Sequence, residues 1–264
     1  MTRFRWALIP GILASGMLLA ASSAFGLGWA QLMENGSPTS VSAALTGGLN
    51  VESRDKDGAT PLMIAAGFNQ DPHVISVLLK AGAKIDDQAR GDVTPIMYAA
   101  FNQDPRMVAA LLKDGATPGE RQADGMTPLM IAASFNPNPK VISLLLKAGA
   151  DVNATDATGM TPLMYASLNP NTAIMSELVG AGVNIYDQDH RGMTPLMWAA
   201  IDDQHPAAVS LLLKAGASGQ VASNDGRTAY DFALMNPDLK GTPQLQQLQQ
   251  AAQTAKHAAV GSRA

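Results

Sequence analysis

Cysteine is absent from the 264-residue chain. That excludes disulfides, Cys-ligated zinc, iron–sulfur clusters, a cysteine nucleophile and thiol-linked lipid. Aromatic residues make up 5% and charged residues 15% of the sequence, and a soluble domain ordinarily carries about 25% charged residues. Positive charge is scarce: 18 Lys and Arg stand against 22 Asp and Glu, for a net charge of -4. A general nucleic-acid binder needs a basic face to neutralise phosphates, so that class is excluded. Chemistry-bearing motifs are also lacking. The four histidines, His73, His190, His205 and His257, stand apart from one another and from any carboxylate in ligand spacing, so no metal site is assigned. There is no Gly-rich phosphate loop and no Gly-x-Ser-x-Gly elbow. The pairs Asp86-Asp87 and Asp202-Asp203 read as solvated carboxylates, since nothing nearby would raise a pKa. No catalytic residue, cofactor or metal follows from the sequence, and the chain reads as non-enzymatic. Apolar residues, in contrast, reach 47%, too many for a mostly disordered protein.

The longest uncharged run lies at the start. Arg3 and Arg5 precede a stretch from Trp6 to Gln31 without charge, with Ala7–Ala14 and Met17–Ala21 as its apolar core. Small residues follow, with acceptable peptidase sites after Ala24 and after Ala30, the first preferred. The expectation is an export signal over 1–30 and a periplasmic, monomeric product. The alternative is an uncleaved inner-membrane anchor facing the periplasm, in which case alone the membrane is a partner. A lipoprotein is excluded because no Cys is available at the cleavage point.

The rest of the chain repeats. Thr-Pro-Leu/Ile-Met recurs with Thr at 60, 94, 127, 161 and 194, and Thr228-Ala229-Tyr230-Asp231 is a degenerate sixth copy; the steps are 34, 33, 34, 33 and 34. Thr before Pro is a helix start, because Thr caps the first turn and Pro lacks only an N–H that would be unpaired there. Each first helix carries paired small residues, as in Ala65-Ala66, and is expected to stop at an Asn in left-handed geometry: Asn69, Asn102, Asn136 and Asn169, with Asp203 in the fifth copy. A second start follows, as in Asp104-Pro105. The second helix carries an apolar stripe such as Val74, Ile75, Leu78 and Leu79, and ends at Gly82, Gly115, Gly149, Gly182 or Gly216. A polar, Gly-containing turn then leads to the next Thr-Pro.

This grammar resembles the ankyrin repeat, in which two antiparallel helices are followed by a protruding β-turn. The resemblance covers about residues 37–253, through Thr-Pro-Leu, Ala-Ala, Leu-Leu-Lys-Ala-Gly-Ala and Asp151-Val152-Asn153. It implies an all-α repeat solenoid: an N-terminal capping half repeat over 37–58, five ankyrin repeats over 59–225, a C-terminal capping repeat over 226–253 and a disordered tail over 254–264. Met stands where the family usually has His after Thr-Pro-Leu, so apolar packing must replace the hydrogen bonds of that His. Gly91-Asp92 and Thr117–Glu120 depart from the turn pattern, and irregular turns are expected there.

The resemblance also implies non-enzymatic binding of a protein partner through the concave face and the turn tips. On this sequence the candidate contact residues are Lys56, Asp57, Arg90, Val93, Met126, Met160, His190, Arg191, Met193 and Arg227 in the turns, with Tyr98, Tyr165 and Trp198 in the first helices. Met126, Met160 and Met193 have two readings, an exposed adaptable strip or packing against neighbouring turns. The aromatic positions pack between first helices in most repeats, while the polar edges of Tyr98, Tyr165 and Trp198 suit a recognition groove. An exported scaffold is the primary reading; a dedicated regulator or stabiliser of one exported enzyme is the alternative.

Overall fold

The computed structural model describes residues 28–202 and 206–260. The export segment before Gly28, the stop expected at Asp203, the helix-start residue His205 and the last four residues lie outside that range. Among the described residues there are fourteen α-helices, one 3-10 turn and no strands. They run as α1 (Gly28–Asn35), α2 (Pro38–Thr46), α3 (Pro61–Phe68), α4 (His73–Lys80), α5 (Pro95–Phe101), α6 (Pro105–Lys113), α7 (Pro128–Phe135), α8 (Pro139–Lys147), α9 (Pro162–Ala166), α10 (Thr172–Gly180), α11 (Pro195–Ile201), α12 (Pro206–Lys214), α13 (Ala229–Met235) and α14 (Pro243–Val260). The described residues fall into two compact units, divided between Pro128 and Leu129.

Each unit is a stack of helix pairs. In the first, α1, α3 and α5 pack in one row and α2, α4 and α6 in a second. In the second, α9, α11 and α13 form one row and α8, α10, α12 and α14 the other. The sequence explains the division. First helices are buried on every side: Pro61 through Gly67 all lie inside, and their small residues let neighbours approach. A Cβ added at Gly67 would lie 3.2 Å from the Tyr98 ring. Second helices are amphipathic, with Val74, Ile75 and Leu78 inside and His73 and Lys80 outside. Each fully buried Leu or Ile contributes about 1.5–3 kcal/mol.

The start signals work as read in most repeats; Thr94 is the exception, with no side-chain cap bond. Thr60, Thr161 and Thr194 each accept the backbone N–H three residues on, at 3.3–3.4 Å, with Pro in the first turn. Asp104, Asn138 and Asn171 cap the second helices by accepting from Arg106, Lys140 and Ala173 N–H. The recurrent methionines are fully buried. In α3 and α5 they also take a polar role: Met63 Sδ accepts the Thr60 N–H at 3.4 Å, and Met97 Sδ the Thr94 N–H at 3.5 Å. A thioether is a weak acceptor, yet it serves the N–H that a capping-box carboxylate would otherwise take.

The Asn stops require a correction. Asn69 and Asn102 are extended, with φ -73° and -67°, and not left-handed. Each is held there by use of its amide. Asn69 Nδ2 donates to Met33 O and Gly36 O, and Asn102 Nδ2 to Ala66 O and Asn69 O. In the second unit Asn169 donates to Ala133 O and Asn136 O, and Asn236 to Ala200 O and Asp202 O. The side-chain oxygens accept the N–H two residues on, from Asp71, Asp104, Asn138, Asn171 and Asp238. An Asn ladder thus ties the segments after α3, α5, α9 and α13 to the preceding first helix. The equivalent position in the fifth repeat is Asp202, one residue before the expected Asp203.

Both ends also differ from expectation. Among the described residues the N-terminal cap is a helix pair, α1 and α2, and not a half repeat over 37–58. Its first helix lacks the Thr-Pro signal but buries Met33 fully and accepts the Asn69 amide. At the other end α14 continues to Val260, past the expected start of disorder at Thr254. Alanines at 251, 252, 255, 258 and 259 favour helix in that stretch. Leu248 faces inward as expected, and Ser210 donates to Gln247.

Candidate protein-binding surface

The turns are built on buried or half-buried aspartates. Asp55 Oδ1 accepts Asp57 N–H and Ala59 N–H at 2.9 and 2.8 Å. Asp156 Oδ1 accepts Thr158 and Met160 N–H, and Asp189 Oδ1 accepts Arg191 and Met193 N–H, all within 3.0 Å. Turns within a unit are then bonded to each other. Arg90 N–H donates to Asp57 O and Ala123 N–H to Gly91 O in the first unit; His190 N–H donates to Thr158 O and Asn224 N–H to Arg191 O in the second. Of the two turns expected to be irregular, the one at Gly91-Asp92 is, since both residues are left-handed, at φ 76° and 61°; no residue of Thr117–Glu120 has a positive φ.

Long polar side chains add cross-links that sequence reading missed. Arg54 donates to Gly58 O, Gln88 O and Asp87 Oδ2. Gln188, at the equivalent position, donates to Gly192 O and Ala222 O. The available signal was a long donor four residues before the turn Gly, at Arg54/Gly58, Arg121/Gly125 and Gln188/Gly192.

The thirteen expected contact residues separate cleanly. Lys56, Arg90, His190, Arg191 and Arg227 are exposed at turn tips, and Asp57 is half-buried. Val93, Met126, Met160 and Met193 are buried, as are Tyr98, Tyr165 and Trp198. The exposed methionine strip is therefore overturned in favour of packing. Asp-bonded amides at Met160 and Met193 draw the turn back over its own methionine.

The aromatic groove is overturned too, because the polar edges are spent internally. Tyr165 O–H donates to Asp156 Oδ2 at 2.5 Å, and Trp198 Nε1–H to Asp189 Oδ2 at 3.2 Å. Tyr98 is buried; burial first, then the nearby Asp55 and Asp57 charges, push its hydroxyl pKa well above the ordinary tyrosine range. Two of the exposed cations are held flat: Arg191 lies 4.6 Å from the Trp198 ring and Arg227 4.4 Å from Phe232. Arg227 also pairs with Asp225, whose carboxyl is held far below the usual range by the Arg227 and Ser223 hydrogen bonds.

The turns need glycine where they touch. Gly192 has φ +73°, and a Cβ there would sit 2.6 Å from Asn224 Oδ1 and 2.8 Å from Asn224 N. Gly192→Ala is expected to cost about 2 kcal/mol, from positive φ and from displacement of the next turn. Urea unfolding measures this; a loss near zero would show that the two turns are not in register.

Among the described residues, no group of three His, Asp or Glu is placed to hold a metal ion. A family model for ankyrin repeats (3 copies) matches residues 29–122, 96–189 and 164–250. The first match starts inside α1, in agreement with a full helix pair at that end. No curated protein matches the chain. Helix pairs, stitched turns and family matches over most of the sequence agree: the chain belongs to the ankyrin-repeat family.

Proposed function

We propose that this chain is an exported, non-enzymatic scaffold that binds a protein partner through its turn tips. Ankyrin repeats in general mediate protein–protein interaction, which supplies the class of partner. One observation carries the choice of surface: the tips are the exposed, chemically varied part of a frame whose other candidate residues are buried. Lys56, Asp57 and Arg90 are presented by one unit and His190, Arg191 and Arg227 by the other. Hydrogen bonds between turns and the stacked guanidinium of Arg191 fix that chemistry before binding, which lowers the ordering cost of association.

Export rests on the N-terminal sequence, and α1 bears on where the signal ends. Cleavage after Ala30 would remove Gly28, Trp29 and Ala30, which are helical in α1, whereas cleavage after Ala24 keeps them. The reading therefore places the mature start at Phe25.

Affinity capture from a periplasmic extract tests both parts, with the tagged chain as bait and an Arg90/Arg191/Arg227 charge-reversed variant beside it. One stoichiometric partner is expected with the first bait and a loss of at least about tenfold with the second. Equal recovery with both would place the contact elsewhere. The mass of the bait recovered from cells reports its first residue.

A further inference from the structure

The chain contains 14 methionines, of which Met1 and Met17 lie outside the described residues. Eleven of the remaining twelve are no more than 5% exposed: they form the core positions and the undersides of the turns. Met235 is the exception, 60% exposed at the end of α13, next to Leu234 at 57%. Its sulfur has a defined neighbour, the Arg227 Nη1 at 3.9 Å. Arg227 in turn pairs with Asp225 at the turn tip and lies over Phe232.

We infer that Met235 is a selective, reversible oxidation site whose product is read by Arg227. Peroxides reach the exposed thioether while the buried ones are shielded, because oxidation follows access. In the reaction a sulfur lone pair attacks one oxygen of hydrogen peroxide and forms the S–O bond as the O–O bond breaks. Sulfur loses two electrons and the peroxide gains them. The departing hydroxide takes the proton left on the transferred oxygen and leaves as water.

The surroundings give the product a consequence. A thioether is a poor hydrogen-bond acceptor, whereas a sulfoxide oxygen is a strong one and makes the side chain polar. Within reach of Arg227 it competes with Asp225 for the guanidinium and shifts that charge at the tip. At the same time the apolar Leu234–Met235 edge becomes half polar. Restoration takes two electrons and two protons from a thiol-based methionine sulfoxide reductase, which releases the oxygen as water. None of this requires the tips to be the partner-binding face.

The test treats the folded full chain with limiting hydrogen peroxide and maps oxidised peptides by mass. Peptides from residues 1–27 are scored apart. Met235 is expected to oxidise on the order of tenfold faster than any of the eleven buried methionines, with the preference lost in denaturant. Two-dimensional spectra of arginine side-chain Nε–H groups provide the second readout. The Arg227 signal, assigned by its loss in Arg227→Lys, should move on oxidation of the native chain and stay fixed in Met235→Leu. Equal oxidation across the folded chain would overturn the site. Oxidised Met235 with an unmoved Arg227 signal would overturn the coupling.

Discussion

Replacement of Asn169 by Ala is expected to destabilise the second unit by about 3 kcal/mol, since unpaired buried polar groups cost about 1–3 kcal/mol each. Asn169 is 1% exposed. Its amide donates to Ala133 O at 2.9 Å and Asn136 O at 3.1 Å, and its oxygen accepts Asn171 N–H at 2.9 Å. Alanine leaves all three partners behind, two of them at the end of the neighbouring helix α7. The Asp variant separates hydrogen bonding from packing. It keeps the shape and the acceptor but points a carboxylate at two carbonyl oxygens. That carboxyl's pKa is raised by folding, so the penalty is full above the folded value and is relieved as pH falls through it. Urea unfolding of both variants, with the exposed Gln246→Ala as reference, measures the effect. A loss below about 1 kcal/mol in the Ala variant, within the range of ordinary surface changes or little more, would show that the ladder is not what couples these repeats.

The ladder also marks how far sequence reading reached. Thr-Pro, paired alanines and helix-ending Gly are local signals, set by backbone geometry within a turn or two, and they located the helices from α3 onward. Asn69, Asn102 and Asn169 were visible as a recurrent position but were assigned a local job, a left-handed stop. Their bonds run to residues 33 to 36 positions away, a distance that no propensity encodes. Of the N-terminal pair only α1 was missed, because it has no Thr-Pro and merges with an apolar leader; α2 lies within the half repeat expected over 37–58. Helix α1 is recognised by what its neighbour needs, a carbonyl for the Asn69 amide. Side-chain direction in the turns was equally hidden. Met126, Met160 and Met193 sit one residue before a helix cap, where a small change of backbone direction decides between solvent and core. Tyr165 and Trp198 did carry a readable clue. Each follows an Asp by nine residues, Asp156 and Asp189, whereas Tyr98 follows Ala89 at that spacing. The two with an Asp spend their polar edge on it; Tyr98 has no carboxylate at that spacing, and burial raises its hydroxyl pKa above the ordinary tyrosine range.

The Asp189–Trp198 contact is where stability and display of the tips meet, and its disruption is the other large expected effect. Asp189 is 6% exposed and accepts three protein donors: Arg191 N–H and Met193 N–H on one oxygen, Trp198 Nε1–H on the other. Arg191 lies over the same indole and reaches the same carboxylate at 3.6 Å. Asp189→Ala strips the acceptor from all three donors and is expected to cost about 3 kcal/mol, on the same scale per buried group as above. Trp198→Phe keeps most of the apolar volume and an aromatic surface for Arg191, but leaves one carboxylate oxygen without its N–H; about 1–2 kcal/mol is expected. Asp189→Asn can retain the oxygen that serves the turn amides while turning an N–H toward the indole N–H. That donor–donor conflict disappears when Trp198 is Phe, so the double variant should be more stable than the sum of the two single losses allows, by at least about 0.5 kcal/mol. Partner capture provides the functional half of the test. Neither Asp189 nor Trp198 is exposed at the tip, yet Asp189→Ala should weaken binding because His190 and Arg191 lose their fixed backbone. Additive stabilities would mean that the indole and carboxylate do not interact. Unchanged capture by a folded Asp189→Ala protein would mean that the partner does not read this turn.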